Sequence, residues 1–240
     1  MIMPGVFNVS VNVYAIVPAR GGSEGIPGKN LKKIDGEPLV GIAASQAVQA
    51  EEIDHVVVNS DDPDIRAAAE EYDVQVMDRP EKYAQGDMMM GVDKFLKWQV
   101  SELENKGHEI DIVVLLYPTG PLRPIEKIDK TVRKVSERGF DSALTLYEDD
   151  RYLWETDDDT VKPTNYDPTK RGPRQLEHWN QWAENKATYA MSRDLLVETG
   201  CRLGGNIGYV EMSELRSIDI DKPVDLELAR RIAETDGKSW

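Results

Sequence analysis

Cysteine is almost missing from this chain: Cys201 is the only one in 240 residues. No intramolecular disulfide can form, and a reducing, cytoplasmic setting is the expectation. No histidine lies near Cys201 in the sequence, so a half-buried structural thiol is expected there rather than a nucleophile. Histidine itself is scarce. His55 begins a strand-like run, His108 sits in a polar connector and His178 lies beside two tryptophans, all places where a structural role is expected. Positive charge is also short, with 29 Lys and Arg against 44 Asp and Glu and a net charge of −15. That balance argues against nucleic acid or an anionic membrane as a partner, because both recruit basic surfaces. No apolar run approaches the roughly 20 residues of a membrane span, and no basic start followed by a long apolar core opens the chain. Residues 1–10 read as a loose leader and residues 11–240 as one domain.

What is present is a stretch at residues 14–30, YAIVPARGGSEGIPGKN. A buried-strand run over residues 11–17 breaks into a loop with four glycines, two prolines and the cations Arg20 and Lys29. Glycine lets the backbone approach an anion closely, and successive N–H groups can form an anion nest. Arg adds a planar fork and Lys a compact charge. Two familiar phosphate patterns do not apply. Ser23 stands where a Walker A loop needs its first glycine, Asn30 replaces its Ser/Thr, and no G-x-G is present.

Along the chain, apolar runs at residues 55–59, 74–77, 112–116 and 142–147 predict strands. Residues 39–50, 65–72, 125–137 and 224–233 predict helices, with Ser60-Asp61-Asp62-Pro63 as a helix start. A further helix is expected to run to about Lys106, capped by Asp87 or a neighbour. Residues 188–191 and 206–210 read as short strands. Continuous apolar strands alternating with helices define an α/β fold, a mostly parallel sheet with helices on both faces. Ligands in such folds bind beyond the carboxyl ends of the strands. The loops at residues 18–30, 60–62 and 117–123 can therefore meet at one crevice.

Residues 148–184 differ in character. They are polar and hold Trp154, Trp179 and Trp182, three of the five tryptophans. They cannot supply a core, so an arm over the crevice or a subunit contact is expected. Trp179 and Trp182, three apart, would share a helix face.

Taken in order over residues 13–233, these segments resemble the acylneuraminate (sialic acid) cytidylyltransferases, of the CMP-N-acetylneuraminate synthetase type. PARGGSEGIPGKNL is close to that family's opening motif, NSDD to its second turn, and Arg79-Pro80 with Asp87 to its third motif. LLYPTGPLR resembles LLQPTSPLR, PRQ at residues 173–175 resembles R-R-Q, ENKATY resembles N-G-A-x-Y, and SIDIDKPVDLELA resembles the closing segment. The resemblance implies a Rossmann-like nucleotidyltransferase fold with a protruding arm, residues 148–190, that forms a homodimer and covers substrate. It implies a Mg²⁺-assisted reaction of CTP with a sugar acid (a nonulosonate) to give the CMP-sugar and pyrophosphate. Ala19, Arg20, Gly21, Gly22, Ser23, Lys29, Asn30, Arg79 and Asp87 would then bind the nucleotide. Tyr117, Arg174, Gln175, Asn185 and Tyr189 would face the sugar acid, with Arg174 on its carboxylate. Asp219 and Asp221 would hold the metal.

The chemistry suits that distribution. Nucleotidyl transfer builds negative charge on the α-phosphate and the leaving pyrophosphate, so positioning and electrostatics carry it and no covalent nucleophile is needed. Arg20, Lys29 and Asp221 are the catalytic candidates. Asp221 and a hydroxide carried by the metal are both open as acceptors of the sugar hydroxyl's proton. Three departures from the family bear on the substrate: Tyr117 and Gly120 in place of Gln and Ser, Lys186 in place of Gly, and Met88-Met89-Met90-Gly91 in place of small polar residues. They leave open another keto-sugar acid or a phosphonate as acceptor, and another base. A nucleotide-binding module without turnover is the remaining reading. Arg123 is expected either to anchor the Pro-rich loop through a salt bridge or to contact substrate.

Overall fold

A computed structural model describes residues 11–84, 91–170 and 180–235. Its first strand is β1 (Val13–Pro18), every residue of which is buried. A tight hairpin follows, β2 (Lys33–Ile34) with β3 (Glu37–Pro38), and leads into α1 (Leu39–Gln49). Next come β4 (His55–Ser60), α2 (Pro63–Ala69), β5 (Gln75–Asp78), the short α3 (Glu81–Ala84) and α4 (Val92–Asn105). The chain continues through β6 (Ile112–Leu116), α5 (Ile125–Ser136), β7 (Ser142–Glu148), and an outlying hairpin of β8 (Trp154–Asp157) and β9 (Thr160–Pro163). It closes with β10 (Trp182–Ser192), α6 (Arg193–Thr199), β11 (Ile207–Glu211) and α7 (Pro223–Thr235).

Seven strands form one sheet in the order β11-β7-β10-β6-β1-β4-β5. β1 pairs in parallel with β4 and β6, β4 with β5, and β11 with β7; β10 alone runs antiparallel to both its neighbours. The period-2 alternation of a strand sorts the apolar runs onto two faces. Ala15, Val17, Val58 and Val114 pack under α1, α2 and α5, while Tyr14, Ile16, Val57 and Leu115 pack under α4 and α6. Each fully buried aliphatic side chain contributes about 1.5–3 kcal/mol, so these doubly covered strands anchor the domain. A third cluster joins α7 to the glycine-rich loop through Ile26, Leu39, Leu122, Ile220 and Leu226. The expected mostly parallel α/β sheet with helices on both faces is what forms.

Several local expectations differ. The strand expected at residues 188–191 is the end of β10, which begins at Trp182. Trp182 therefore opens a strand and not a helix face, and its ring lies 5.3 Å from that of Tyr209 on β11. Trp179, His178 and Asp87 lie outside the described residues. α4 begins behind Gly91 with no side-chain cap. The helix expected at residues 65–72 is α2, capped by Asp62, whose Oδ1 accepts from the amides of Asp64 and Ile65 at 2.8 and 3.2 Å. In the arm, β8 and β9 bury no side chain, and Trp154 and Val161 remain 48% and 59% exposed. Among the described residues no helix is long and apolar enough to cross a membrane.

Candidate active site

The loops that follow β1, β4, β5 and β6 converge at the carboxyl edge of the sheet, where parallel topology leaves a crevice. A cavity of 530 Å³ opens there, walled by Arg20, Ser23, Lys29, Asn30, Arg79, Tyr117 and Asp221 among others. A second, of 350 Å³, is lined by Tyr117, Thr119, Glu184, Lys186, Tyr189, Arg202, Asp219 and Asp221. The two share Tyr117, Thr119 and Asp221, so they are two ends of one crevice.

The glycine-rich loop is held from three sides. Asn30 is buried and its Nδ2 donates to the Arg20 carbonyl at 2.9 Å. The Gly21 amide donates to Asp61 Oδ1 at 3.0 Å, so the loop after β4 braces the loop after β1. Lys29 reaches across to the closing segment, where Nζ donates to the Ile220 carbonyl at 2.8 Å and to Asp221 Oδ1 at 3.0 Å. That segment is in turn fastened to the loop after β6, since the Ile220 amide donates to the Thr119 carbonyl at 2.8 Å.

Arg79 supplies a third cation to the larger cavity. Its guanidinium stacks 4.2 Å from the Phe95 ring centroid, and its Nε is buried without a hydrogen-bond partner. Burial pushes its pKa down to about 10, with Asp61 opposing that and Arg20 adding to it. A guanidinium beside Arg20 on the cavity wall adds the positive charge that an anion-binding wall requires.

At the other end, Asp219 Oδ2 lies 2.7 Å from Lys186 Nζ, which is also 3.7 Å from Asp221 Oδ2. Partial burial pushes Asp221 up, but Lys29 and then Lys186 outweigh it and hold the carboxyl below its usual range. The hydrogen bond that Lys186 donates to Asp219 holds its ammonium above its ordinary value. Burial raises the Tyr117 phenol to about 12, so it stays a neutral donor. Tyr189 donates to the Glu184 carboxylate, and its ring meets that of Tyr117 edge-on at 6.3 Å.

Asp219 and Asp221 suit a hard cation: both offer only oxygen, and both face the single point marked by the Lys186 ammonium. Among the described residues no group of three or more His, Cys, Asp or Glu comes together. A pair of carboxylates completed by phosphate oxygens and water is a usual Mg²⁺ arrangement, so the residues fit.

Of the expected site residues, Arg20, Ser23, Lys29, Asn30, Arg79, Tyr117, Tyr189, Asp219 and Asp221 line the crevice. Ala19 does not; its side chain is fully buried in the core and its amide bonds to Asn59. Gly21 and Gly22 are not among the lining residues, and the Gly21 amide is engaged by Asp61. Asn185 serves as a strut behind the crevice. It is buried, accepts from Thr145 Oγ1 at 2.7 Å and from the Ala187 amide at 3.1 Å, and donates to Ser217 Oγ at 2.9 Å. Arg123 anchors the Pro-rich loop through hydrogen bonds, with no salt bridge among the described residues. Fully buried, it donates to the carbonyls of Tyr117 and Ala187 and to Gln46 Oε1. Asp87, Arg174, Gln175 and Met88–Met90 lie outside the described residues. Glu184, Lys186 and Arg202 line the smaller cavity without having been expected there. Arg202 carries no sequence signal, while Lys186 showed itself only as a departure from a glycine.

A cation-lined crevice at the carboxyl edge of a parallel sheet defines an anion-binding α/β protein. The chain belongs to the cytidylyltransferase family, whose sequence profile matches residues 14–235. It is 28% identical to N-acylneuraminate cytidylyltransferase A of Danio rerio over 226 residues, 92% of this chain and 51% of that protein. It is also 28% identical to the CMP-N,N'-diacetyllegionaminic acid synthase of Legionella pneumophila, over 93% of this chain and 97% of that one. The chain spans about half the length of the first fish relatives it matches. In fold it is similar to a CMP:2-keto-3-deoxy-manno-octonic acid synthetase solved with CTP, with a TM-score of 0.67 at 18% identity, covering 94% of this chain and all of that one. A 4-diphosphocytidyl-2C-methyl-D-erythritol synthase has a TM-score of 0.69 at 13% identity, over 94% of this chain and 99% of its own.

Proposed function

We propose that this protein transfers the CMP group of CTP to a hydroxyl of a sialic-acid-like sugar acid, releasing pyrophosphate. The observation that carries the reading is the joining of two cavities at Tyr117, Thr119 and Asp221. One end offers Arg20, Lys29 and Arg79 to a triphosphate; the other offers Lys186, Arg202 and two phenols to an acidic, polyhydroxylated acceptor. The relatives act on such acids by name, which supports the substrate class.

In the reaction the acceptor oxygen bonds to the α-phosphorus, the bond from that phosphorus to the bridging oxygen of pyrophosphate breaks, and the hydroxyl proton leaves. Arg20 and Lys29 neutralise the charge that builds on the departing oxygens. Asp221 lines both cavities, which supports it as the acceptor of the proton beside a hydroxide carried by the metal. A divalent cation on Asp219 and Asp221, with Mg²⁺ as the expected ion, would add counter-charge to the phosphates. Tyr117 donates a hydrogen bond at the junction and orients the acceptor. Asp87, Arg174 and Gln175 complete the nucleotide and acceptor contacts in this reading. The exposed Trp154 and Val161 of the β8–β9 hairpin support a homodimer built through the outlying part of the arm expected at residues 148–190. The last residues of that span, from Trp182, belong instead to β10 of the central sheet. The single cysteine supports a cytoplasmic setting.

The deciding experiment is pyrophosphate release with Mg²⁺ across the four nucleoside triphosphates and a panel of sugar acids that includes N-acetylneuraminate. Release with CTP and a sugar acid is expected. Absence of any nucleotide binding would overturn the reading.

A further inference from the structure

Residue 186 occupies an unusual place. Between Glu184 and Tyr189 the register of β10 against β7 shifts, and Lys186 stands in this bulge at φ +54°, in the left-handed region that favours glycine. The bulge is over-determined. Asn185 accepts from Thr145 and the Ala187 amide, the Thr188 amide donates to Thr145 Oγ1 at 3.1 Å, and Arg123 donates to the Ala187 carbonyl. Backbone strain of this kind persists only when its surroundings fix it. A glycine would sit here without strain, yet the chain places a lysine and sends its ammonium to the point where Asp219 and Asp221 converge.

We propose that Lys186 is a tethered cation standing where a divalent ion would sit between Asp219 and Asp221, so that the ion enters only by displacing the ammonium. The inference rests on the proposed metal role of that pair. Two like charges cannot share a point a few ångströms across, so ammonium and metal exclude one another. Lys186 also lines the smaller cavity, so the displaced ammonium remains on its wall, available to an acceptor carboxylate. The lysine thereby keeps the carboxylate pair neutralised between turnovers and makes divalent-ion binding weaker than the bare pair would allow.

The test is Mn²⁺ binding to the full chain, followed by electron paramagnetic resonance without turnover, for the wild type, K186M, K186A, K186G and D219N. Removing the ammonium is expected to tighten Mn²⁺ roughly tenfold in K186M and K186A as well as in K186G, while D219N loses tenfold or more. Equal Mn²⁺ affinity in wild type and K186M, with D219N still weakened, overturns the inference and leaves the metal pair standing. Tightening confined to K186G would make the effect one of backbone relief and also overturn it. Mn²⁺ binding indifferent to D219N would remove the metal pair, and the inference with it.

Discussion

A Cβ placed on Gly25 would stand 2.3 Å from the carbonyl oxygen of Asp221. The glycine-rich loop and the closing segment therefore touch backbone to backbone, and only glycine permits that approach. Because the obstructing atom is main chain, Gly25→Ala must part the two segments that carry Lys29 and Asp221. Overpacking of this sort costs about 1–3 kcal/mol. The expected outcome is a lower melting temperature together with weaker CTP binding by calorimetry. A variant with both unchanged would show that the seam does not matter.

Lys29→Ala should separate binding from folding. Its ammonium is held by Ile220 and Asp221 at the edge of the larger cavity, so its loss leaves the core intact. CTP affinity is expected to fall by roughly 10- to 100-fold, the range of one charge-assisted contact of about 1.5–3 kcal/mol. The melting temperature should stay within a few degrees. Isothermal calorimetry with CTP decides it, and unchanged affinity would remove Lys29 from the phosphate site.

The strands that were legible in the sequence are those covered on both faces. β1 and β6 are apolar throughout and β4 at Val56–Val58, so these three strands stand out as runs. The first half of β10 was illegible because its bulge breaks alternation and the polar Asn185 is buried there with partners. α6 is only seven residues long, too short for a helical period to show, and the outlying β8–β9 hairpin buries nothing that a pattern could reveal. In the site, Arg20, Lys29, Asn30, Tyr117 and Asp221 were legible because they sit in loops or segments at the strand ends. Arg202 was not, since it reaches the crevice from the connection between α6 and β11. Asn185 shows the opposite failing, a motif residue whose work is to hold the bulge in shape.

Arg123→Met should be the most destabilising change near the site. The guanidinium is fully buried, and burial lowers its pKa to about 9, while two carbonyls and Gln46 Oε1 favour its charged form. Truncation strands those acceptors, at about 1–3 kcal/mol for each buried group left unpaired, and a loss of 3–5 kcal/mol in total is expected. Arg123→Lys should recover little, because one ammonium cannot span the Tyr117 and Ala187 carbonyls as a planar fork does. Urea denaturation checks both. Full stability in the lysine variant would mean that charge alone suffices.

Tyr117 carries a pH expectation. Burial raises its pKa to about 12, so its phenol keeps its proton up to at least pH 10 and loses it only above that. If it orients the acceptor, Tyr117→Phe should raise the acceptor KM with little change for CTP. The alkaline side of the wild-type profile of kcat/KM should show no inflection from this group between pH 8 and 10. An inflection in that range that disappears in the phenylalanine variant would contradict a buried neutral phenol.

Two departures from the family's pattern turn out to be neighbours. A Cβ on Gly120 would lie 3.2 Å from Ala187 Cα and 3.3 Å from its Cβ, and Ala187 follows the strained Lys186. Gly120→Ser alone should therefore press on a bulge that Asn185, Thr145 and Arg123 already pin, costing about 1–3 kcal/mol. Lys186→Gly relaxes the left-handed position by about 1 kcal/mol and lets the bulge yield. The serine should then cost less in the glycine background, with a coupling of at least about 0.5 kcal/mol in a double-mutant cycle. Urea denaturation of the four proteins measures it. Strict additivity would mean that the two substitutions arose without regard to each other. A positive coupling would mean that the smaller residue at 120 is what allows a lysine to stand over Asp219 and Asp221.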